Sequence, residues 1–361
     1  MHAYTLRPYT NTREDAAKLA ALWNETNGRR PAASPCGTPA VVEDVHDWIS
    51  CGQGRHVLVA DDLAQDKLMG FASLQAGPDH SNSCHVAALS IHPAVQGTEL
   101  IRQMLAQVVD QAGELGYHRV SLDTSSAEPR SAPVYQEVGF FHVPDVATSW
   151  RNYVPLVRQL PATRDYFRRH DWCTTLHSAS SPAEDGRKPG VASSLRYRWR
   201  ADEDTLLIAI DRDAETVTGV ETGRFAAHVE VDDLNSDRRR YCSIRWHVKN
   251  KGTLPLNVSI FAEGDDGIKI AHRSALIISG GQGQTVEGRF TISPDLRLAA
   301  DCEPVPQIHT VLVVGAQIVE LNTGIRPRQT MPVYAEPSWA AFFCGRQPVL
   351  QRHGVPQGQP A

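Results

Sequence analysis

The stretch that decides the fold is His92–Leu105, which reads HPAVQGTELIRQML. A turn containing Pro93 leads here into a segment whose apolar residues recur with the spacing of one helix face. The first turn of such a helix carries backbone N–H groups without an intrahelical partner, and these groups bind anions such as a pyrophosphate. The stretch therefore predicts a strand end, a turn and a helix that together hold a phosphorylated ligand.

The segments on either side of this turn predict an α/β domain. Before it, alternating and helical apolar patterns indicate strands at 4–8, 55–60, 67–74 and 83–91 and helices at 12–27 and 41–50. After it, they indicate a helix at 99–115 that Gly116 caps, a strand at 118–123, a short helix at 132–138 and a final strand at 141–150. The predicted element order is β-α-α-β-β-β-α-β-α, followed by that last strand.

In the second half of the chain, apolar and polar residues alternate with a period of two, as in β-strands. Residues 153–176 predict irregular helix, and the small polar residues 177–194 predict a linker. Beyond them, strands are predicted at 195–200, 205–211, 225–231, 241–249, 257–263, 272–278, 284–292 and 309–321. This spacing is typical of an all-β, immunoglobulin-like sandwich domain. We expect four segments: 1–155, a helical segment and linker at 156–194, a sandwich at 195–340 and a flexible tail at 341–361.

Length, charge and cysteine content narrow the class of protein. The 361 residues are enough for two domains, and 36 basic against 41 acidic residues leave a net charge of −5. This balance argues against nucleic acid or an anionic membrane as a partner. The seven cysteines include no CxxC pair, and no signal sequence or membrane-spanning run is evident. We therefore expect a cytoplasmic protein with reduced thiols and no metal site.

Three segments of the first domain resemble the GNAT acetyltransferase superfamily. Ala88–Pro93 is similar to the fourth strand of that family with its hydrophobic-x-Pro exit, and Gln96–Ile101 occupies the position of its acyl-CoA loop. Pro133–Phe140 matches the Tyr-x-x-x-Gly-Phe segment near the end of the fold. The resemblance implies a GNAT-like mixed-sheet α/β (α+β) domain, with the sandwich outside it.

The resemblance also implies a co-substrate, acetyl-CoA. In the family, the amides of the loop bind the pyrophosphate of coenzyme A, and the fourth and fifth strands splay around its pantetheine. The corresponding residues in this chain are Leu89, Ile91, Gln96, Gly97, Thr98, Glu99, Leu100, Ile101 and Arg102. The reaction would be direct attack of an amine on the thioester, without a metal or a covalent enzyme intermediate. The acceptor would be a small-molecule or peptide amine, and a homo-oligomer is compatible with these features.

Carried over to this sequence, the family's general acid is Tyr135, which would protonate the departing thiolate. A thiolate needs little help from an acid, so a tyrosine with a pKa near 10 can serve. For the base that deprotonates the amine, two candidates stay open: His85 at the start of the fourth strand and Asp123 at the end of the fifth.

A second hypothesis follows from two residues of the loop. Glu99 and Ile101 stand where the family has small residues that let phosphate approach the backbone. A carboxylate near a pyrophosphate adds repulsion, although the first turn of a helix also favours acidic residues. The alternative is a catalytically impaired GNAT-fold protein that acts as a binding or scaffolding module through its sandwich.

Overall fold

The structure is a computed structural model, and it describes residues 4–26, 39–50, 56–77, 82–95, 99–124, 132–143, 148–180, 194–212, 214–231, 242–293, 296 and 305–325. The chain divides into two compact units. The first comprises Met1–Ala76, Val86–Leu100 and Tyr334–Ala361, and the second comprises Gly77–His85 and Ile101–Val333. The domain boundaries expected at 155 and 194 stay predictions.

The first unit joins two helices to the early strands. Its elements are β1 (Thr5–Pro8), α1 (Arg13–Glu25), α2 (Val42–Ser50), β2 (His56–Asp62), β3 (Lys67–Ala76) and the larger part of β4 (Ser83–Ile91). The strand order is β1-β2-β3-β4, and β2 is antiparallel to both β1 and β3. The helix α1 begins after Thr12, whose side chain accepts the Asp15 N–H at 3.2 Å. A threonine is among the residues preferred at this capping position.

Aromatic side chains fill the core of the first unit. The rings of Trp23, Trp48 and Phe71 contact one another with centroid separations of 5.3, 5.9 and 6.1 Å. Two of the three contacts are edge-to-face, the geometry that aromatic pairs prefer. The core therefore fixes α1 and α2 against β3.

The second unit begins with the start of β4 and continues with the α/β elements. These are α3 (Leu100–Glu114), which lies here apart from its first residue, β5 (Arg119–Asp123), α4 (Ala132–Glu137), β6 (Phe141–His142) and β7 (Ser149–Asn152). Gly116 has a φ of +83° just beyond α3, so it ends that helix as predicted. The strand order is β4-β5-β7-β6.

The single final strand predicted at 141–150 is wrong. The segment contains two strands, because β7 pairs antiparallel with β6 and Phe141 lies opposite Arg151. The Val143 N–H also donates to the Ser149 carbonyl at 2.9 Å, which closes the connection. Otherwise the predicted element order of the first half is confirmed.

The irregular helical segment is confirmed as four short pieces, but the first residues of the predicted linker, 177–180, belong to a strand. The pieces are α5 (Val154–Gln159), a 3-10 turn (Pro161–Thr163), α6 (Arg164–Arg169) and α7 (Trp172–Thr175). The next residues form β8 (Leu176–Ser180), which pairs with the following strand. Small polar residues suggest a loop, yet any residue can supply the backbone groups that complete a sheet. Residues 181–193 lie outside the described part of the chain.

The rest of the second unit is built of antiparallel sheets. Its strands are β9 (Ser194–Ala201), β10 (Asp204–Asp211), β11 (Thr216–Thr222), β12 (Phe225–Val231), β13 (Cys242–Asn250), β14 (Leu256–Gly264), β15 (Ile268–Lys269), β16 (Ala271–Ile278), β17 (Gly283–Ile292), β18 (Gln307–Val314) and β19 (Gln317–Gly324). They form an eight-stranded sheet ordered β15-β17-β13-β12-β11-β10-β9-β8 and a four-stranded sheet ordered β16-β14-β18-β19. Trp246 of the larger sheet donates its Nε1–H to Thr310 Oγ1 of the smaller at 3.0 Å.

Two predictions about these strands need correction. The strand predicted at 309–321 is a hairpin of β18 and β19, because Gly315 adopts a φ of +60° and reverses the chain. The strand β11, in which five of seven residues are β-branched, and the short strand β15 were absent from the prediction. Among the helices within the described residues, none is both long and apolar enough to cross a bilayer.

Buried side chains tie the α/β elements of the second unit to its sheets. The Tyr197 hydroxyl of β9 donates to the Gly139 carbonyl at 3.0 Å and accepts the Tyr153 N–H at 2.9 Å. Trp199 of the same strand donates to the Trp172 carbonyl at 3.0 Å. These contacts explain why residues on both sides of position 155 belong to one compact unit.

Candidate functional site

The predicted base candidates meet in the second unit, where β5 follows the start of β4 in the strand order. His85 extends from β4, while Ser121 and Asp123 extend from β5. Residues two apart in a strand point to the same side of the sheet, so Ser121 and Asp123 share a face. His85 Nδ1 lies 3.3 Å from Ser121 Oγ. The structure thus places a histidine, a hydroxyl and a carboxylate in one group, which we call the His85 group.

The His85 ring is buried, with 8% of the residue exposed. Burial lowers the pKa of His85 because it penalises the imidazolium, and the negative charge of Asp123 opposes that shift. Burial is the larger effect. At neutral pH the imidazole is therefore uncharged and carries a lone pair that can accept a proton.

The hydrogen bonds assign that lone pair to one nitrogen. The Ser121 hydroxyl donates its only proton to the Cys84 carbonyl at 3.3 Å. The hydroxyl oxygen must then accept a hydrogen bond from the protonated Nδ1 of His85. If Nδ1 carried no proton, it could only accept, and the Ser121 hydroxyl has no second proton to donate to it. In the neutral ring, Nε2 is therefore the unprotonated nitrogen.

Asp123 carries a buried oxygen whose hydrogen-bonding capacity is unused. Within the part of the chain that the structure describes, its Oδ2 is inaccessible to solvent and lacks a hydrogen-bond partner. A buried carboxylate oxygen without a hydrogen-bond donor lowers the stability of the folded protein. Binding of a ligand that donates a hydrogen bond to this oxygen is therefore favourable. An ammonium group is the donor whose charge also complements the carboxylate.

Tyr135 lies on α4 with a buried ring. Its ring centroid is 5.4 Å from that of Trp150 and 6.4 Å from that of Phe140, in both cases edge-to-face. Gly139 ends the helix at a φ of +84°, where a Cβ would lie 3.1 Å from a Val154 methyl group. The Gly-Phe pair of the sequence motif thus fixes α4 and Tyr135 with it.

The residues expected to bind the coenzyme are distributed over both units. Gln96, Gly97 and Thr98 lie outside the described residues, while Leu89 and Ile91 are half-buried in β4. Glu99 is exposed in the turn before α3, and Leu100 is buried. Ile101 and Arg102 belong to the second unit and are half-buried.

His92 anchors the turn in the first unit, a role that the sequence did not reveal. Its N–H donates to the Met69 carbonyl at 2.9 Å, and its Nδ1 accepts the Ala94 N–H at 3.1 Å. Because Nδ1 is an acceptor, Nε2 carries the proton and donates to Glu25 Oε2 at 2.8 Å. The chain that leaves β4 is therefore held at three points.

Arg102 lines a cavity in the second unit. The cavity has a volume of about 390 Å³, and its lining residues come from α3, α4, α7 and β8: Arg102, Gln136, Glu137, Cys173, Thr174, Leu176, His177 and Ser178. The guanidinium donates from Nη1 to Cys173 Sγ at 3.2 Å. Arg102 supplies positive charge to the cavity, where a phosphate group could bind it. Across the described ranges, no group of three or more His, Cys, Asp or Glu side chains is placed to hold a metal ion.

Comparison with known sequences identifies one family. Residues 19–140 match the sequence profile described as the acetyltransferase (GNAT) family. No curated protein has a sequence that matches this chain. The profile ends at the Gly-Phe pair that follows α4.

Several solved acetyltransferases are similar to part of the chain. A spermidine N-acetyltransferase chimera from Vibrio cholerae is 19% identical, with 42% of this chain and 95% of that one covered and a TM-score of 0.34. The ribosomal-protein-S5-alanine acetyltransferase of Vibrio fischeri is 18% identical (39% and 80% covered, TM-score 0.33). The phosphinothricin acetyltransferase of Sinorhizobium meliloti, solved with acetyl-CoA, is 19% identical (39% and 76% covered, TM-score 0.32). All three TM-scores are below 0.5, so the family assignment rests on the sequence match.

Proposed function

Because residues 19–140 form a GNAT-family acetyltransferase domain, we propose that this protein transfers the acetyl group of acetyl-CoA to an amine by direct attack. The observation that carries the proposal is the His85 group, where a buried neutral imidazole lies near a carboxylate oxygen that has no donor among the described residues. A neutral base and an unused anionic acceptor are what a protonated amine needs in order to bind and lose its proton.

In the proposed reaction, Asp123 Oδ2 accepts a hydrogen bond from the ammonium group of the acceptor, and His85 Nε2 removes a proton from it. The free amine then attacks the thioester carbon, a carbon–nitrogen bond forms, and the carbon–sulfur bond breaks. The attacking nitrogen releases its second proton to solvent, which leaves the neutral amide, and the His85 imidazolium also returns its proton to solvent. The electron pair of the carbon–sulfur bond leaves on the coenzyme sulfur. Tyr135 donates its phenolic proton to this thiolate and is reprotonated from solvent.

The proposed coenzyme site combines backbone and side-chain groups. The amides at the start of α3 and the residues 96–98 before it would bind the pyrophosphate. Arg102 would add charge for a phosphate, consistent with its place at the cavity. Glu99 is exposed, so its carboxylate can stay in water rather than against the phosphates. Leu89 and Ile91 would contact the pantetheine from β4.

The experiment combines a binding measurement with a turnover measurement on the full chain. Calorimetry measures the affinity for acetyl-CoA, and a thiol reagent measures the coenzyme A released in the presence of a panel of primary amines. We expect His85→Gln to keep the affinity and to lower turnover by about 10²- to 10⁴-fold, the usual contribution of a general base. His118→Gln is the matched control, because burial also lowers the pKa of His118 outside the His85 group.

Two results would contradict the proposal in different ways. Failure of the wild-type protein to bind millimolar acetyl-CoA would remove the acetyltransferase activity and favour the binding or scaffolding module. Binding together with full turnover by His85→Gln would leave the activity but exclude His85 as the base.

The proposal extends to the second half of the chain. We interpret the two antiparallel sheets as an immunoglobulin-like sandwich, supported by the hydrogen bond from Trp246 to Thr310 between them. Its role would be to shape access of a small-molecule or peptide acceptor or to assemble subunits. A cytoplasmic location stays a prediction from the sequence.

A further inference from the structure

One face of the four-stranded sheet in the second unit carries exposed apolar residues among polar ones. In β14, β18 and β19, buried residues alternate with residues that point to the other side, and in the edge strand β16 half-buried residues alternate with exposed ones. The apolar residues on that other side include Phe261, Ile277, Val311 and Ile318, with 41, 69, 37 and 48% of their surfaces exposed. We call this side the outer face. Contiguous exposed apolar residues on a sheet mark an interaction site more often than isolated ones do.

The register shows that three of these residues are contiguous with Val313, whereas Ile277 lies apart from them, opposite Asn257. Phe261 of β14 lies opposite Val311 of β18, and in the adjacent row Val313 lies opposite Ile318. Directly opposed residues on a sheet lie about 5 Å apart, which is contact distance for their side chains. The outer face therefore presents one continuous apolar area across β14, β18 and β19.

Two opposite charges lie at the two edges of this area. Arg273 of the edge strand β16 is opposite Phe261, and Glu320 of the other edge strand, β19, is opposite Val311. The row thus reads Arg273, Phe261, Val311, Glu320 across the sheet, and both charged residues are exposed. The Arg273 guanidinium lies over the Phe261 ring, 5.8 Å from its centroid.

This charge pattern is complementary to itself. A twofold axis parallel to the strands turns the sheet over so that β16 of one copy covers β19 of the other. Arg273 then faces Glu320 of the partner subunit, and Phe261 faces Val311 of the partner subunit. A twofold axis across the strands would instead place like charges near one another. Isologous contacts of this kind are typical of homodimers.

We propose that the outer face binds a second copy of this chain about a twofold axis parallel to the strands. Strands about 4.8 Å apart with about 3.3 Å per residue give this four-stranded face an area of roughly 500 Å². Two such faces bury roughly 1,000 Å², near the lower limit for a specific interface. We therefore expect a reversible dimer.

The test is sedimentation velocity of the full chain over a concentration series. The wild-type protein shifts from monomer to dimer, and Val311→Asp stays monomeric because it places a charge in the centre of the interface. Leu63→Asp is the matched control, since Leu63 is 71% exposed on the turn between β2 and β3 and lies outside the outer face. It dimerises like the wild type.

A charge exchange tests the orientation. Arg273→Glu and Glu320→Arg each weaken the dimer about tenfold, because each converts two symmetric attractions into repulsions. The double variant restores the wild-type dissociation constant. A monomer at every concentration, or dimerisation by Val311→Asp, overturns the proposal, and failure of the double variant to recover overturns the twofold arrangement. Circular dichroism of each variant identifies a loss of folding.

Discussion

Removal of the Arg7 side chain should destabilise the first unit. Arg7 bonds to Asp15 through both terminal nitrogens, at 2.8 and 2.7 Å, and to Asp61 through Nε and Nη2, at 3.0 and 2.8 Å. The side chains of both carboxylates are only 5% exposed. Arg7→Met keeps the aliphatic part of the side chain but leaves two buried negative charges side by side.

The magnitude follows from the geometry. Breaking a buried ion pair by removing one partner costs about 3–5 kcal/mol. Arg7 itself is 27% exposed, so water can reach the vacated position, and we expect the lower end of that range, about 3 kcal/mol. The control, Arg13→Met, changes an exposed arginine of α1 and should alter stability by less than about 0.5 kcal/mol.

The same group should make stability depend on pH. The Arg7 guanidinium holds the pKa of Asp15 well below its usual range, with the Thr10 donors adding to the effect. A carboxylate whose pKa is lower in the folded state than in the unfolded state stabilises the folded state fully at any pH above the unfolded-state pKa of about 3.9. This stabilisation is lost as the pH falls toward the folded-state pKa. The difference between wild type and Arg7→Met should therefore be complete at pH 7 and shrink below about pH 4.

Hydrogen exchange of peptides from α1 measures this locally, and urea denaturation measures it for the unit. At neutral pH, exchange in α1 should accelerate by roughly 10²-fold for a loss of about 3 kcal/mol. A loss below about 1 kcal/mol at pH 7, or a difference that persists unchanged to pH 3, would refute the reasoning.

Three further predictions concern the proposed reaction. Asp123→Asn removes the charge that raises the pKa of His85 against the effect of burial, so the acidic limb of the kcat/KM profile should move to lower pH; an unchanged limb would separate the two residues. Tyr135→Phe should lower kcat while leaving acetyl-CoA affinity within about twofold by calorimetry, and equal turnover would remove Tyr135 from the mechanism. Glu99→Gln should leave that affinity within about threefold, because the side chain is exposed; much tighter binding would show that the carboxylate opposes the phosphates.

The local patterns of the first half were sufficient for its element order as far as α4. Helical spacing predicted α1 and α3, and Gly116 marked the end of the second. These features depend on residues close in the chain, so they can be read directly. The hairpin at Gly315 was missed because a glycine between apolar residues is also compatible with one long strand.

The candidate site was predicted only as a set of alternatives. His85 and Asp123 were named separately as possible bases, and 38 positions separate them in the sequence. Their electrostatic interaction depends on the alignment of β4 with β5, and the tautomer of His85 depends on Ser121 and on the Cys84 carbonyl. Cys173 and His177, which line the cavity with Arg102, lie in a segment that the sequence assigned to helix and linker.

The sequence by itself determined the element order of the first half as far as α4, most of the strands of the second half, and the resemblance carried by Ala88–Pro93, Gln96–Ile101 and Pro133–Phe140. Each of these rests on periodicity or on a short motif, and both are local properties. Only the tertiary structure decided that His85 is buried beside Asp123, and that Tyr197 joins residues 139 and 153 in one unit. Burial and hydrogen bonding act between residues distant in the chain, and they set which groups are charged and which proton can move.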